Sequence, residues 1–146
     1  MLSPRPAYLQ VSVALPPGLM EGLLENYTTV TGKRATFSGM ALYALNELHY
    51  DLVEAEELAE AGITLPPYDP SYTISIAKPD RRAVSGFYSM KIPEDFRETW
   101  WELLRAHGDN GPAAVHRALL SLYRSVRDYH VENAPGSTFL TKYPAL

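Results

Sequence analysis

Residues alternate strictly between two faces along Gln10-Val11-Ser12-Val13-Ala14-Leu15 before Pro16. The alternation returns along Phe87-Tyr88-Ser89-Met90-Lys91-Ile92 before Pro93. A period of two predicts strands over 8–15 and 84–92, with Val11, Val13 and Leu15, and Tyr88, Met90 and Ile92, on the buried faces. After each proline the period lengthens to that of a helix. Leu19, Leu23, Leu24 and Tyr27 form one apolar stripe, which Thr31-Gly32 ends with a left-handed glycine cap. A second helix opens at a Thr36 or Ser38 cap, carries Met40, Leu42, Leu45, Leu48 and Leu52, and reaches about Ala61. In the second half Phe96, Trp100, Leu103 and Leu104 make the first stripe. The stretch His107–Pro112 breaks it, with Asp109 or Asn110 as cap, and Ala114, Ala118, Leu119, Leu122 and Val126 make the second.

The strand pattern thus occurs twice, with Pro16 and Pro93 in corresponding positions. A strand-helix-helix unit is too small to bury its own apolar faces, so two copies are expected to share one core. The expected architecture is α+β: a first half over 1–62, a linker and extra strand over 63–83, a second half over 84–130 and an irregular tail over 131–146. The extra strand is Tyr72–Ala77, which follows a proline-containing linker and turns through Lys78-Pro79-Asp80-Arg81-Arg82 toward the 84–92 strand. Of the adjacent tryptophans, Trp100 is expected in the core and Trp101 at its edge or at an interface.

Composition narrows the class. Hydrophobic residues make up 46% and charged residues 21%, and no segment has the length of a membrane span. No cysteine is present, so disulfides and thiolate metal sites are excluded. The N-terminal stretch Met1–Pro6 lacks the apolar core of a secretory signal, and a cytoplasmic setting is the simplest expectation. The net charge of −4 opposes nucleic-acid binding at first sight. However, Glu47, Asp51, Glu54, Glu56, Glu57 and Glu60 form one acidic run, and outside it basic residues outnumber acidic ones. Lys33 and Arg34 cluster between the first two helices, and Lys78, Arg81, Arg82 and Lys91 cluster around the second strand.

The two alternating strands, each followed by a proline and two helices, resemble the ribbon-helix-helix family of DNA-binding repressors. The segment Tyr88–Pro93 is the closest match; Val11–Pro16 follows the pattern without a charge. The resemblance spans residues 8–60 and 86–130 and implies a tandem single-chain pseudo-dimer whose two strands pair antiparallel as a ribbon entering the major groove. It implies that Gln10, Ser12, Ala14, Phe87, Ser89 and Lys91 face base edges. Gln10 would suit adenine, Lys91 guanine, the serines either, and Ala14 and Phe87 a thymine methyl. It also implies phosphate anchoring at the N-terminus of each second helix. Those positions are Thr36, Phe37 and Ser38, supported by Lys33 and Arg34, in the first half, and Asn110 and Gly111 in the second. The implied partner is double-stranded DNA, with further homo-oligomerisation through the second helices or Trp101.

No enzyme motif competes. His49, His107, His116 and His130 lack metal-ligand spacing, and no phosphate loop or nucleophile elbow is present, so neither catalytic residues, a metal nor a cofactor is expected. His49 and His116 read as surface or boundary positions. The competing expectation is a protein-interaction module on the same fold, using the ribbon or the acidic run against a protein partner. Phe87 bears on that choice, because an apolar residue on an outward face is either a binding contact or covered by the 72–77 strand.

Overall fold

The computed structural model describes residues 9–62 and 86–146. The fold is α+β, with a two-stranded antiparallel sheet and, among the described residues, five α-helices. Strand β1 is Leu9–Leu15, followed by α1 (Leu19–Thr31) and α2 (Phe37–Glu60). Strand β2 is Gly86–Ile92, followed by a 3₁₀ turn at Glu94–Phe96, α3 (Arg97–His107), α4 (Gly111–Asn133) and α5 (Thr138–Lys142). The expected extra strand at 72–77, the linker before it and Lys78, Arg81 and Arg82 lie outside the described residues.

The alternating pattern sorts the strand side chains as the period requires. Val11, Val13, Leu15, Met90 and Ile92 are buried, and Tyr88 is half-buried. Each helix start has a local cause. Gly18 stands at φ +88°, which a Cβ would oppose, and its N–H donates to Glu21 Oε2 at 3.1 Å, closing the first turn of α1. Of the two expected caps for α2, Thr36 serves, its Oγ1 accepting from Gly39 N–H at 3.1 Å. For α4, Asn110 caps, accepting from Ala113 N–H at 2.9 Å. Pro93 does not enter a helix directly. It precedes the 3₁₀ turn, whose Phe96 N–H bonds Pro93 O at 3.0 Å.

The second helix of each sequence half crosses to the strand of the other. Helix α4 packs on β1 and α2 packs on β2, while α2 and α4 pack against each other along the centre. Matched positions line that seam. Met40, Ala41, Ala44 and Leu45 are buried on α2, and Ala114, Val115, Ala118 and Leu119, each 74 positions on, are buried on α4. Leu45 and Leu119 are fully enclosed, each contributing about 1.5–3 kcal/mol relative to exposure. Trp100 and Leu103 fill the core from α3, whereas Trp101 is 47% exposed, as their adjacency on one helix requires.

Two expectations are corrected. The region from 131 onward is not an irregular tail: α4 runs on to Asn133 and α5 follows, with Phe139 and Tyr143 buried. Tyr123 donates to Pro144 O at 2.6 Å, Arg127 to Tyr143 O at 2.6 Å and Arg124 to Leu146 O at 2.9 Å, so α4 holds this segment by its backbone carbonyls. His116 is not at the surface but 5% exposed within α4. Asp109, the alternative cap candidate, is engaged otherwise. It forms an enclosed ion pair with Arg117, Nε–Oδ2 at 2.6 Å and Nη2–Oδ1 at 3.0 Å.

Candidate nucleic-acid interface

The strands pair in a register that brings the six ribbon residues into three cross-strand couples on one face: Gln10 opposite Lys91, Ser12 opposite Ser89, and Ala14 opposite Phe87. Alternation does this: with the intervening residues buried under the helices, these six must stand on the other side of the pleat. Gln10, Phe87, Ser89 and Lys91 are exposed, and Ser12 and Ala14 are half-buried. Phe87 remains 59% exposed.

At the ribbon's middle the Ser12 and Ser89 hydroxyls hydrogen-bond at 2.7 Å. One proton is consumed between them, so the couple presents outward a single O–H donor and several lone pairs. The two ends differ in chemistry. The Gln10–Lys91 end offers an amide and an ammonium, while the Ala14–Phe87 end offers a methyl and an aromatic ring.

The N-termini of α2 and α4 flank this ribbon. Phe37, at the first position of α2, stacks on Tyr88 of β2 with ring centroids 4.9 Å apart. Gly111, at the first position of α4, comes so close that a Cβ there would lie 3.5 Å from Val11 of β1 and 3.3 Å from Trp100. The contacts correspond: Gly111 lies 74 positions after Phe37, and Tyr88 lies 77 after Val11. A ring pair on one side is thus matched by a glycine and a valine on the other. Sequence periodicity placed Phe37 and Gly111 beside helix starts but carried no signal for these complementary volumes.

The two helix ends are unequal as anion sites. At α2 the Gly39 N–H is taken by the cap, which leaves the Phe37 and Ser38 N–H groups and the hydroxyls of Thr36 and Ser38, with Lys33 and Arg34 exposed just before them. At α4 the Ala113 N–H is taken by Asn110, and Pro112 at the second position has no N–H, so Gly111 supplies the remaining first-turn donor. The nearest acid–base pair there, Asp109 with Arg117, is internally balanced. Helix dipole and free N–H groups favour an anion at both ends, but among the described residues the added positive charge of Lys33 and Arg34 stands at α2.

The acidic run lies along the rest of α2. At 1.5 Å per residue, Glu47 to Glu60 fall roughly 15–35 Å from its N-terminus, beyond the ~8 Å screening length of physiological salt. Asp51 is held above the ordinary carboxylate range by partial burial and by the charges of Glu47 and Glu54.

No group of acidic or histidine side chains among the described residues is arranged to hold a metal ion, and no described helix is long and apolar enough to cross a membrane. Comparison with protein-family models, curated proteins and solved structures finds no match.

Proposed function

We propose that the chain is a sequence-specific DNA-binding regulator in which two ribbon-helix-helix units are joined as a single-chain pseudo-dimer. The observation that supports this reading most is the antiparallel register of β1 and β2, which gathers Gln10, Ser12, Ala14, Phe87, Ser89 and Lys91 on one face between two helix N-termini. A two-stranded ribbon suits the width of the major groove. The separation of the acidic run from the α2 N-terminus weakens the objection raised by net charge.

The target follows from the unequal ends of the ribbon. Lys91 donates to guanine O6 or N7 and Gln10 bonds adenine N6 and N7 at one end, while Ala14 and Phe87 meet thymine methyls at the other. The site is therefore asymmetric, purine-reading at one end and thymine-rich at the other. It is anchored more firmly through α2 than through α4.

Mobility-shift titration of fragments selected from a random duplex pool, at two salt concentrations, tests the proposal. Lys91→Ala is expected to weaken the selected site by about 1–3 kcal/mol and relax preference at one position. Lys33→Ala is expected to weaken all duplexes alike and lower the salt slope by about one. Failure to retain any duplex at low salt would overturn the reading. It would favour the second one, a protein-interaction module on the same fold, which the exposure of Phe87 at the ribbon also supports.

A further inference from the structure

A cavity of about 580 Å³ opens between α1, the turn into α2 and the C-terminal half of α4. Its volume falls within the ~300–1,000 Å³ of small-molecule sites. Leu23, Val30, Leu122 and Val126 supply aliphatic walls, and Tyr27, Met40 and Tyr43 supply rings and a thioether, surfaces that favour an aromatic occupant. No charged side chain among the described residues lines it. Burial, reinforced by neighbouring Glu47, pushes the Tyr43 phenol further above its ordinary range, so that group also stays neutral.

The polar groups in the wall are mainly donors. The Thr36 oxygen already accepts from Gly39 N–H, which leaves its own proton to give. The Asn26 carbonyl is engaged by His130 Nε2 at 2.8 Å, which leaves its amide N–H groups. An anion would find no counter-charge in the lining, and the neighbouring Glu47 carboxylate is engaged by the Tyr43 phenol; a neutral molecule with a carbonyl or ether oxygen matches the wall.

We propose that this cavity is a binding site for a small, uncharged aromatic molecule bearing a hydrogen-bond acceptor. Thr36 couples the site to the ribbon face. It lines the cavity, caps α2 and stands at the stronger of the two helix ends flanking the ribbon. An occupant bonded to its hydroxyl takes the one Thr36 proton and fixes the turn into α2, leaving the Phe37 and Ser38 N–H groups and the Ser38 hydroxyl positioned for an incoming phosphate. Resting on the DNA-binding reading, occupancy tightens DNA, and DNA tightens the occupant by the same factor.

Prodan, a neutral naphthalene ketone whose emission reports polarity, serves as probe. With the full chain alone, saturable one-to-one binding with blue-shifted emission is expected. Val126→Trp, which fills the cavity, and Val30→Glu, which places a charge at its exposed rim, are each expected to weaken binding about tenfold or more. Val30 is 73% exposed, so the second variant leaves the core intact, and thermal unfolding checks both. Absence of saturable binding, or equal binding by folded variants and wild type, overturns the site. Displacement of the probe by self-association in sedimentation also overturns it, since the occupant would then be a second copy. Mobility shifts with and without saturating prodan test the coupling: a several-fold tighter complex supports it and an unchanged affinity overturns it. If no duplex is bound at all, the DNA reading fails while the probe titration still decides the site.

Discussion

Breaking the Asp109–Arg117 pair should be the most costly polar change available near the ribbon. The two side chains are 10% and 4% exposed and joined by two charge-assisted hydrogen bonds of 2.6 and 3.0 Å, so solvent screens them little. Arg117→Met removes the cation that faces the Asp109 carboxylate, and Asp109→Asn removes the anion that faces the Arg117 guanidinium, in a largely enclosed site. Each change is expected to cost about 3–5 kcal/mol. The double variant removes both charges together and should lie near wild type, recovering most of the roughly 6–10 kcal/mol summed loss, since buried pairs and neutral replacements are near balance. In a domain of this size each kcal/mol moves the melting point by about 2–4 °C, so the single variants should melt lower by roughly 6–20 °C. Urea unfolding followed by far-ultraviolet circular dichroism gives the four free energies of the cycle. Single losses below about 1 kcal/mol that add in the double variant would show that the pair is solvated, and the reasoning would fail.

Three further outcomes follow from packing and burial. A Cβ on Gly22 would lie 3.1 Å from Tyr123 Cε2 and 3.2 Å from Tyr143 Cγ, both in buried rings. Gly22→Ala should therefore lose about 1–3 kcal/mol to overpacking against a helix-propensity gain of about 1, and a more stable variant in urea would refute this. Burial, aided by the charge of Arg124, pushes His116 down to about 4, and its Nδ1 has no hydrogen-bond partner, so the folded chain holds it neutral while the unfolded chain takes a proton below about 6.5. Its contribution is complete above pH 6.5 and is lost as pH falls toward 4, by roughly 3 kcal/mol at most. The stability of His116→Leu relative to wild type, followed over that range, should rise as the pH drops, and a flat difference would overturn the assignment. Reversing the purine-reading and thymine-rich ends within an otherwise fixed selected duplex should weaken binding by at least about tenfold in a competition mobility shift, since each misread position costs about 1–3 kcal/mol; equal affinity would refute an asymmetric ribbon.

The strands, the four principal helices and the caps of α2 and α4 were legible because each is written locally. Alternation declares Val11, Val13 and Leu15 on one face, and Thr36 and Asn110 stand where a helix needs an acceptor. What escaped was set by contacts between distant segments. The tail after Asn133 is short and contains Pro135, Gly136 and Pro144, signals that argue for a loop. It is ordered instead by Phe139 stacking on His130 at 4.6 Å and by α4 side chains that bond its carbonyls. His116 and Arg117 carry polar names on a helix whose neighbouring positions are all buried; the pairing with Asp109 offsets the burial of the Arg117 charge, and His116 is held neutral. The cavity beside Thr36 was likewise invisible, since it is made of gaps between three elements rather than of any run of residues.

The matched positions divide by layer, and the division bears on function. Where α2 and α4 pack, the corresponding residues keep their apolar character: Ala44 with Ala118 and Leu45 with Leu119 are identical, while Met40 with Ala114 and Ala41 with Val115 change volume in opposite directions within one close-packed seam. On the outward face of the ribbon they do not. The position held by Gln10 in β1 is held by Phe87 in β2, that of Ala14 by Lys91, and only the central serines agree. Two separate identical chains would be bound to present the same residue twice. With both strands in one chain, each is free to differ while the core still requires them to pair. The antiparallel register then gathers the differences by end, so that Gln10 meets Lys91 and Ala14 meets Phe87. A polar end and an apolar end on one ribbon is an arrangement a symmetric pair of chains cannot make. Together with the added charge at α2 and the missing N–H at Pro112, it gives the molecule a direction along any duplex it binds.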